Sequence, residues 1–185
     1  MVDEKQNTDF RAIDSSFFDS HVHELVQLYL LSFTTGKLAQ YISPESADAT
    51  LKELLKRGSG VAAIWSEKII GAILGMPLGF DREFPAGQFP AISPEKTVYI
   101  AELMVHPAMR GQGVASELIA IYLEHEKTKG NTDAVIRVWD ENKGALHLYR
   151  KRGFREIVTI IQEKIKPDGV TVFQMNKIYL HKKIE

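Results

Sequence analysis

The sequence predicts a single α/β domain, one mixed sheet with helices on both faces. Three observations carry that expectation. Residues 97–139 read as strand, helix, strand, and a βαβ unit brings its two strands together in parallel. Strand pairs on either side of it are joined by short turns and should be antiparallel. No linker, internal repeat or low-complexity tract divides the 185 residues, which suffice for one core.

Each element follows from local pattern. Met1 to Thr8 is polar and is expected to be disordered, with the domain running over 9–185. "DFRAI" reads as a short first strand. Val22, Leu25, Val26, Tyr29 and Phe33 then recur at helical spacing. "SPES" at 43–46 offers a serine cap and a proline in the first turn of a second helix. Leu51, Leu54 and Leu55 line one face of it, and Gly58 can close it. "VAAIW" (61–65) and "IIGAILGMPL" (69–78) are buried strands around the turn "SEK". Residues 79–96 hold three prolines and three phenylalanines without periodicity, and predict a long loop of the kind that often carries function.

"TVYIAELMVH" (97–106) is the next strand. Val114, Leu118, Ile121 and Tyr122 mark an amphipathic helix ending near Gly130. "AVIRVW" (134–139) is a strand. Asn142 can cap a helix whose Ala145, Leu148 and Tyr149 share a face and which Gly153 can end. "FREIVTIIQEKI" and "VTVFQMNKIYL" are two strands joined at "KPDG". The last strand could pair across a homodimer if its edge is exposed.

Composition excludes several classes. Net charge is -1, so there is no general nucleic-acid footprint. The first residues lack the basic and apolar regions of a signal peptide. The longest apolar run, "IIGAILGMPLGF", falls short of the ~20 residues of a membrane helix. The absence of cysteine excludes disulfides, thiolate metal sites and a cysteine acyl-enzyme, and fits a cytoplasmic protein. The six histidines show no HExxH spacing, so no metal site is expected.

The chemistry centres on "RGQGVA" (110–115), between a strand and a helix. It can be a plain corner. It can also cradle phosphate, because the first N–H groups of a helix lack internal partners and glycine admits close approach. The P-loop and G-x-G-x-x-G signatures are absent. After one helix and one strand comes "NKGALHLYRKRGF" (142–154). Its pattern N-x-x-A-x-x-L-Y-x-x-x-G-F resembles the second signature block of the GNAT acyl-CoA N-acyltransferases, and "RGQGVA" resembles their first, R/Q-x-x-G-x-G/A. "YIAELMVHP" resembles the strand before it. The blocks cover 99–154, and the element order extends the resemblance over 9–182.

The resemblance implies a GNAT-like fold with a central coenzyme-binding βαβ unit. It implies an N-acetyltransferase that moves an acetyl group from acetyl-CoA to a primary amine of a small molecule or peptide. Arg110, Gly111, Gln112, Gly113, Val114 and Ala115 would hold the pyrophosphate. The strand would bend at a bulge and splay from its parallel neighbour. Pantetheine would lie in the gap along the backbone of Leu103, Met104 and Val105. The N–H of Met104 or Val105 would polarise the thioester carbonyl. Tyr149 falls where the family places a tyrosine near the coenzyme sulfur, as proton donor to the departing thiolate. A core aromatic is the alternative. Asn142 caps its helix, bonds the cofactor, or does both.

Glu102 interrupts an apolar strand, where burying a carboxylate is costly. Alternation puts it on one face with Ile100 and Met104 unless the bulge intervenes. Many members of the family carry an acidic residue near this point, beside the acceptor amine. Glu102 is then a base, an anchor for the ammonium, or a structural glutamate. The acceptor would meet residues 33–43, the 79–96 loop with Asp81, Arg82, Glu83, Phe84 and Phe89, and the last hairpin. A non-catalytic acyl-CoA sensor with the same fold is the alternative function. Nucleotide binding at the turn would lack the P-loop lysine.

Overall fold

A computed structural model describes residues 8–184; the expected disorder of the first residues falls on 1–7, outside the described residues. Seven strands form one sheet: β1 (Asp9–Ala12), β2 (Ser59–Trp65), β3 (Lys68–Pro77), β4 (Thr97–Val105), β5 (Asp133–Trp139), β6 (Arg155–Ile165) and β7 (Val172–Lys183). Their order is β1-β2-β3-β4-β5-β7-β6. Four helices accompany them: α1 (Ser15–Phe33), α2 (Pro44–Arg57), α3 (Val114–Thr128) and α4 (Lys143–Lys151). Among the described residues only β4 and β5 pair in parallel, as the βαβ reading requires.

Local chemistry sets the helix ends. Asp14 accepts the Phe17 N–H at 2.7 Å to start α1, and Ser43 accepts that of Ser46 at 3.2 Å to start α2. Gly58 ends α2 for a different reason than a left-handed cap. Its φ is -142°, and a Cβ there would lie 1.8 Å from the Gly75 carbonyl oxygen, so close approach to β3 requires glycine.

Helices cover both faces. Leu118, Tyr122, Leu146, Tyr149 and Phe154 of the α3–α4 side pack on Val61, Ile73, Val98 and Ile100. Leu25, Tyr29, Leu51 and Leu54 of α1 and α2 pack on Ala62, Leu74 and Met104. The 79–96 loop is more ordered than its composition predicts. It makes a 3-10 turn at Ala86–Gln88, and Phe84 and Ile92 join Leu78, Tyr99, Val135 and Tyr179 in a third small core. The last strand is not an edge: β7 lies between β5 and β6, so β1 and β6 are the edges and the dimer route through β7 is closed.

Candidate active site

The site begins where β4 and β5 part. Their ladder runs from Thr97↔Asp133 to Ile100↔Ile136 and stops, although β4 continues to Val105 and β5 to Trp139. A bulge coincides with the parting. Gly75 of β3 opposes Ile100 and Leu74 opposes Glu102, so Ala101 is the extra residue. The bulge also resets the faces. Ile100 packs towards α3 with Leu103 and Val105, while Met104 packs towards α1. Glu102 therefore shares a face with Met104 but not with Ile100.

Register sorts the backbone of this strand. The His106 N–H donates to Ile70 O at 2.8 Å, and antiparallel ladders alternate. Met104 is thus turned to β3. Leu103 and Val105 turn their N–H and C=O groups to the open side, where β5 has departed.

Past β4, a 3-10 turn at Pro107–Met109 leads into the glycine turn. Gly111 and Gly113 adopt φ of 79° and 88°, and a Cβ on either would meet nothing within 4 Å. Side chains brace the turn from behind. Arg110 Nε donates to Val105 O at 3.3 Å, and Gln112 Nε2 donates to Ala108 O at 3.1 Å. The backbone N–H groups of Gly111, Gln112, Gly113, Val114, Ala115 and Ser116 find no acceptor among the described residues; the first helical bond of α3 is Glu117 N–H to Gly113 O. This is a run of unsatisfied donors at a helix N-terminus, open to an anion.

Tyr149 lies on α4, and Asn142 caps that helix. Tyr149 is 6% exposed, and its ring sits 6.2 Å from that of Phe154. Its hydroxyl has no hydrogen-bond partner among the described residues. Burial raises its pKa, and so does the nearby Glu102 carboxylate. The hydroxyl therefore keeps its proton. Asn142 Oδ1 accepts the Ala145 N–H at 3.1 Å, so the capping role is made.

On the opposite face Glu102 is half-buried. Burial pushes its carboxyl up to about 7, against the pull of the Tyr29 hydrogen bond and of Lys177 and Arg137. The Tyr29 hydroxyl donates to Glu102 Oε1 at 3.2 Å. The helical spacing that places Tyr29 on α1 carries no sign of a partner 73 positions away.

The 79–96 loop walls this side, but not with free acidic and aromatic groups. Tyr179 donates to Asp81 at 2.7 Å, Arg137 bonds Glu83 and Tyr179, and Gln162 bonds Glu83 at 2.7 Å. Asp81 and Glu83 already hold the Arg137 cation, and Phe84 lies in the core with Phe89 against it. Of the five loop residues named from sequence, only Arg82 is left exposed and without a partner among the described residues. The α1–α2 loop closes the other wall, where the Tyr41 N–H donates to Ile165 O of the last hairpin at 2.9 Å.

A sheet parted after a β-bulge, with a donor-rich helix N-terminus beyond the end of β4, leaves a gap between two strands next to an anion-binding turn. Residues 22–154 match the Acetyltransferase (GNAT) family, and the chain belongs to it. It is 28% identical over 134 residues to N-acetyltransferase 8F1 of Rattus norvegicus, covering 70% of this chain and 56% of that relative. The chain thus spans about half the length of the curated relatives it matches most fully. An N-acetyltransferase from Staphylococcus aureus Mu50 superposes with a TM-score of 0.69 at 15% identity, over 97% of this chain and 99% of that one. A Salmonella typhimurium acetyltransferase solved with acetyl-CoA superposes with a TM-score of 0.66 at 15% identity, over 97% and 95% of the two chains. Among the described residues no helix is long and apolar enough to cross a membrane.

Proposed function

We propose that the protein is an acetyl-CoA-dependent N-acetyltransferase acting on a primary amine by direct attack in a ternary complex. The observation that carries this reading is the run of six acceptor-free N–H groups, Gly111 to Ser116, at the mouth of the β4–β5 gap. The residues present suit a coenzyme: two glycines leave room above the turn, and Leu103 and the Val105 N–H offer backbone groups along the gap. Acetyl-CoA supplies the activated acyl group.

The chain's own residues divide the remaining work. Gly111 to Ala115 hold the pyrophosphate, with Arg110 and Gln112 bracing the turn and Asn142 fixing the start of α4 beside it. The Val105 N–H is the donor for the thioester oxygen, since register turns that of Met104 to β3. Glu102 is the proton acceptor. An alkylammonium near ~10.4 must lose a proton before it attacks, and a carboxyl at about 7 is a better base at neutral pH than an ordinary one. Tyr149 holds the proton that the leaving thiolate takes. Side-by-side binding of both reactants lowers the barrier further.

Thermal unfolding with acetyl-CoA, CoA or ATP tests the coenzyme site. A ligand at ~100 times its Kd adds ~2.7 kcal/mol, a shift of a few degrees. A shift with both coenzymes and none with ATP is expected; none with either coenzyme overturns the reading. Amine-dependent release of CoA thiol then separates an enzyme from a non-catalytic acyl-CoA sensor, which would bind the coenzyme and release none.

A further inference from the structure

Among the described residues, the fully buried carboxylates and Arg137 are matched, whereas two half-buried lysines on the acceptor side are not. Glu126 is held by Ser59, Lys129 and Asn131. Asp133 is held by Thr132, His181 and Lys183. Arg137 is held by Asp81 and Glu83. Lys177 is half-buried in β7, yet it makes no hydrogen bond or ion pair among the described residues. A buried ammonium without a counter-ion is costly, and proteins rarely keep one idle.

Its position is set by register. Lys177 pairs with Trp139, the last residue of β5, and with Ile160 of β6. Strand alternation puts it on the same face as Tyr179, which packs against Phe84 of the loop. That is also the face of Arg137 and Gln162, which both bond Glu83. Lys164, two residues beyond Gln162, adds a second half-buried cation with no partner among the described residues. Lys177 lies within electrostatic reach of Glu102, and burial together with Arg137 and Lys164 holds its ammonium down at about 8. The site thus presents a carboxylate at the parting of the strands and unmatched cations further along the same face.

We propose that Lys177, flanked by Lys164, anchors a carboxylate of the acceptor, so that the acceptor is an amine bearing its own carboxylate, an amino acid or a related zwitterion. The amine faces Glu102 and the carboxylate faces Lys177. This rests on the acetyltransferase reading and adds the second end of the substrate to it. Arg137 cannot serve instead, because Asp81 and Glu83 already occupy it.

The test compares L-amino acids with their own carboxamides, using acetyl-CoA and CoA thiol release by the full chain. Wild type should prefer the acids about ten- to hundredfold in kcat/KM. Lys177→Met should bring the acids down to the level of the carboxamides, mainly through KM, and Lys177→Arg should restore part of the preference. Equal use of acids and carboxamides by wild type overturns the proposal without any variant. So does a Lys177→Met loss that is the same for both. Calorimetric titration of the same compounds into the CoA-saturated protein separates the two readings. Binding of acids but not carboxamides, lost in Lys177→Met, with no turnover of any amine, would sink the transferase reading and leave the carboxylate site standing. Binding of neither series while CoA still binds would sink the carboxylate site.

Discussion

The Tyr29 hydroxyl, carried by α1, donates to the carboxylate of Glu102 on β4 at 3.2 Å. The bond favours the charged carboxylate and so opposes the burial that drives Glu102 up to about 7. Tyr29 is a positioning residue in this scheme: it acts through Glu102. Tyr29→Phe should leave the ring packing in place and let the Glu102 carboxyl rise further. The acid limb of kcat/KM should move up by about one unit, since a hydrogen bond to a charged group is worth roughly that much. Turnover near neutral pH should fall severalfold and recover in alkali. A pH profile that drops uniformly without moving would assign Tyr29 a merely structural role.

Glu102→Gln should separate stability from activity. The folded chain favours the neutral carboxyl, so between its ordinary 4.5 and about 7 it holds a proton that the unfolded chain has released. The native state then binds more protons, and stability falls as pH rises through that window. Glutamine removes the fall. The variant should match wild type near about pH 5 and exceed it by about 1–3 kcal/mol near about pH 8, seen as a higher Tm. Its turnover should be about 10²- to 10⁴-fold lower. A variant less stable than wild type at high pH would mean that the carboxylate is better satisfied than its surroundings indicate.

Gly113→Ala tests the cradle, and Gly130→Ala is its control. The two glycines have φ of 88° and 91°, and a Cβ on either meets nothing within 4 Å. The backbone strain of each substitution is the same in kind, about 1–2 kcal/mol. Gly113 begins α3 at the mouth of the gap, while Gly130 follows its far end. Acetyl-CoA affinity should fall about tenfold in the first through the added Cβ, and stay at the wild-type value in the second. Equal affinities in calorimetry would make the turn a plain corner.

Much of this architecture was legible locally. The capping serine at Ser43, the glycine turn at 111–113 and the two hairpins are each specified within a short stretch of chain. The bulge was expected from resemblance, but its residue was not legible, because one inserted residue leaves no trace in an alternating apolar run. That is why Ile100 was placed with Glu102. Tyr29, Arg137 and Lys177 were missed as site residues for a different reason. The partners of Tyr29 and Arg137 are remote in sequence, Glu102 across 73 positions and Glu83 across 54, and Lys177 is half-buried by the fold rather than by its own strand pattern. The aperiodic 79–96 loop gave no sign of burial, because Phe84 and Ile92 pack on residues from β4, β5 and β7 rather than on each other's turn.

Arg137 ties that loop to the sheet, bonding Glu83 and Tyr179 while its guanidinium lies 5.4 Å from the Tyr179 ring. Arg137→Met should leave Glu83 bonded by Gln162, and Asp81 by Tyr179 and the Glu83 N–H, with no cation to balance the two carboxylates. Breaking a largely buried charge network costs about 3 kcal/mol. The coenzyme gap lies on backbone of β4 and α3, which Arg137 does not bond. Acceptor KM should therefore rise with acetyl-CoA affinity retained. Loss of coenzyme binding in a variant that still unfolds cooperatively would remove the loop from the acceptor site.

Tyr149 is where the packing and catalytic explanations of one side chain can be told apart. Its ring belongs to the α3–α4 core, and phenylalanine reproduces that packing. Its hydroxyl bonds nothing among the described residues, so deleting it breaks no hydrogen bond that the fold uses. On packing alone, Tyr149→Phe should be silent. As proton donor to the leaving thiolate, the hydroxyl is worth about 10²-fold or more in kcat. The expected variant keeps its unfolding free energy within about 0.5 kcal/mol of wild type, binds acetyl-CoA with little loss, and turns over about a hundredfold more slowly. An unchanged kcat would leave Tyr149 as a core aromatic and pass the proton to solvent.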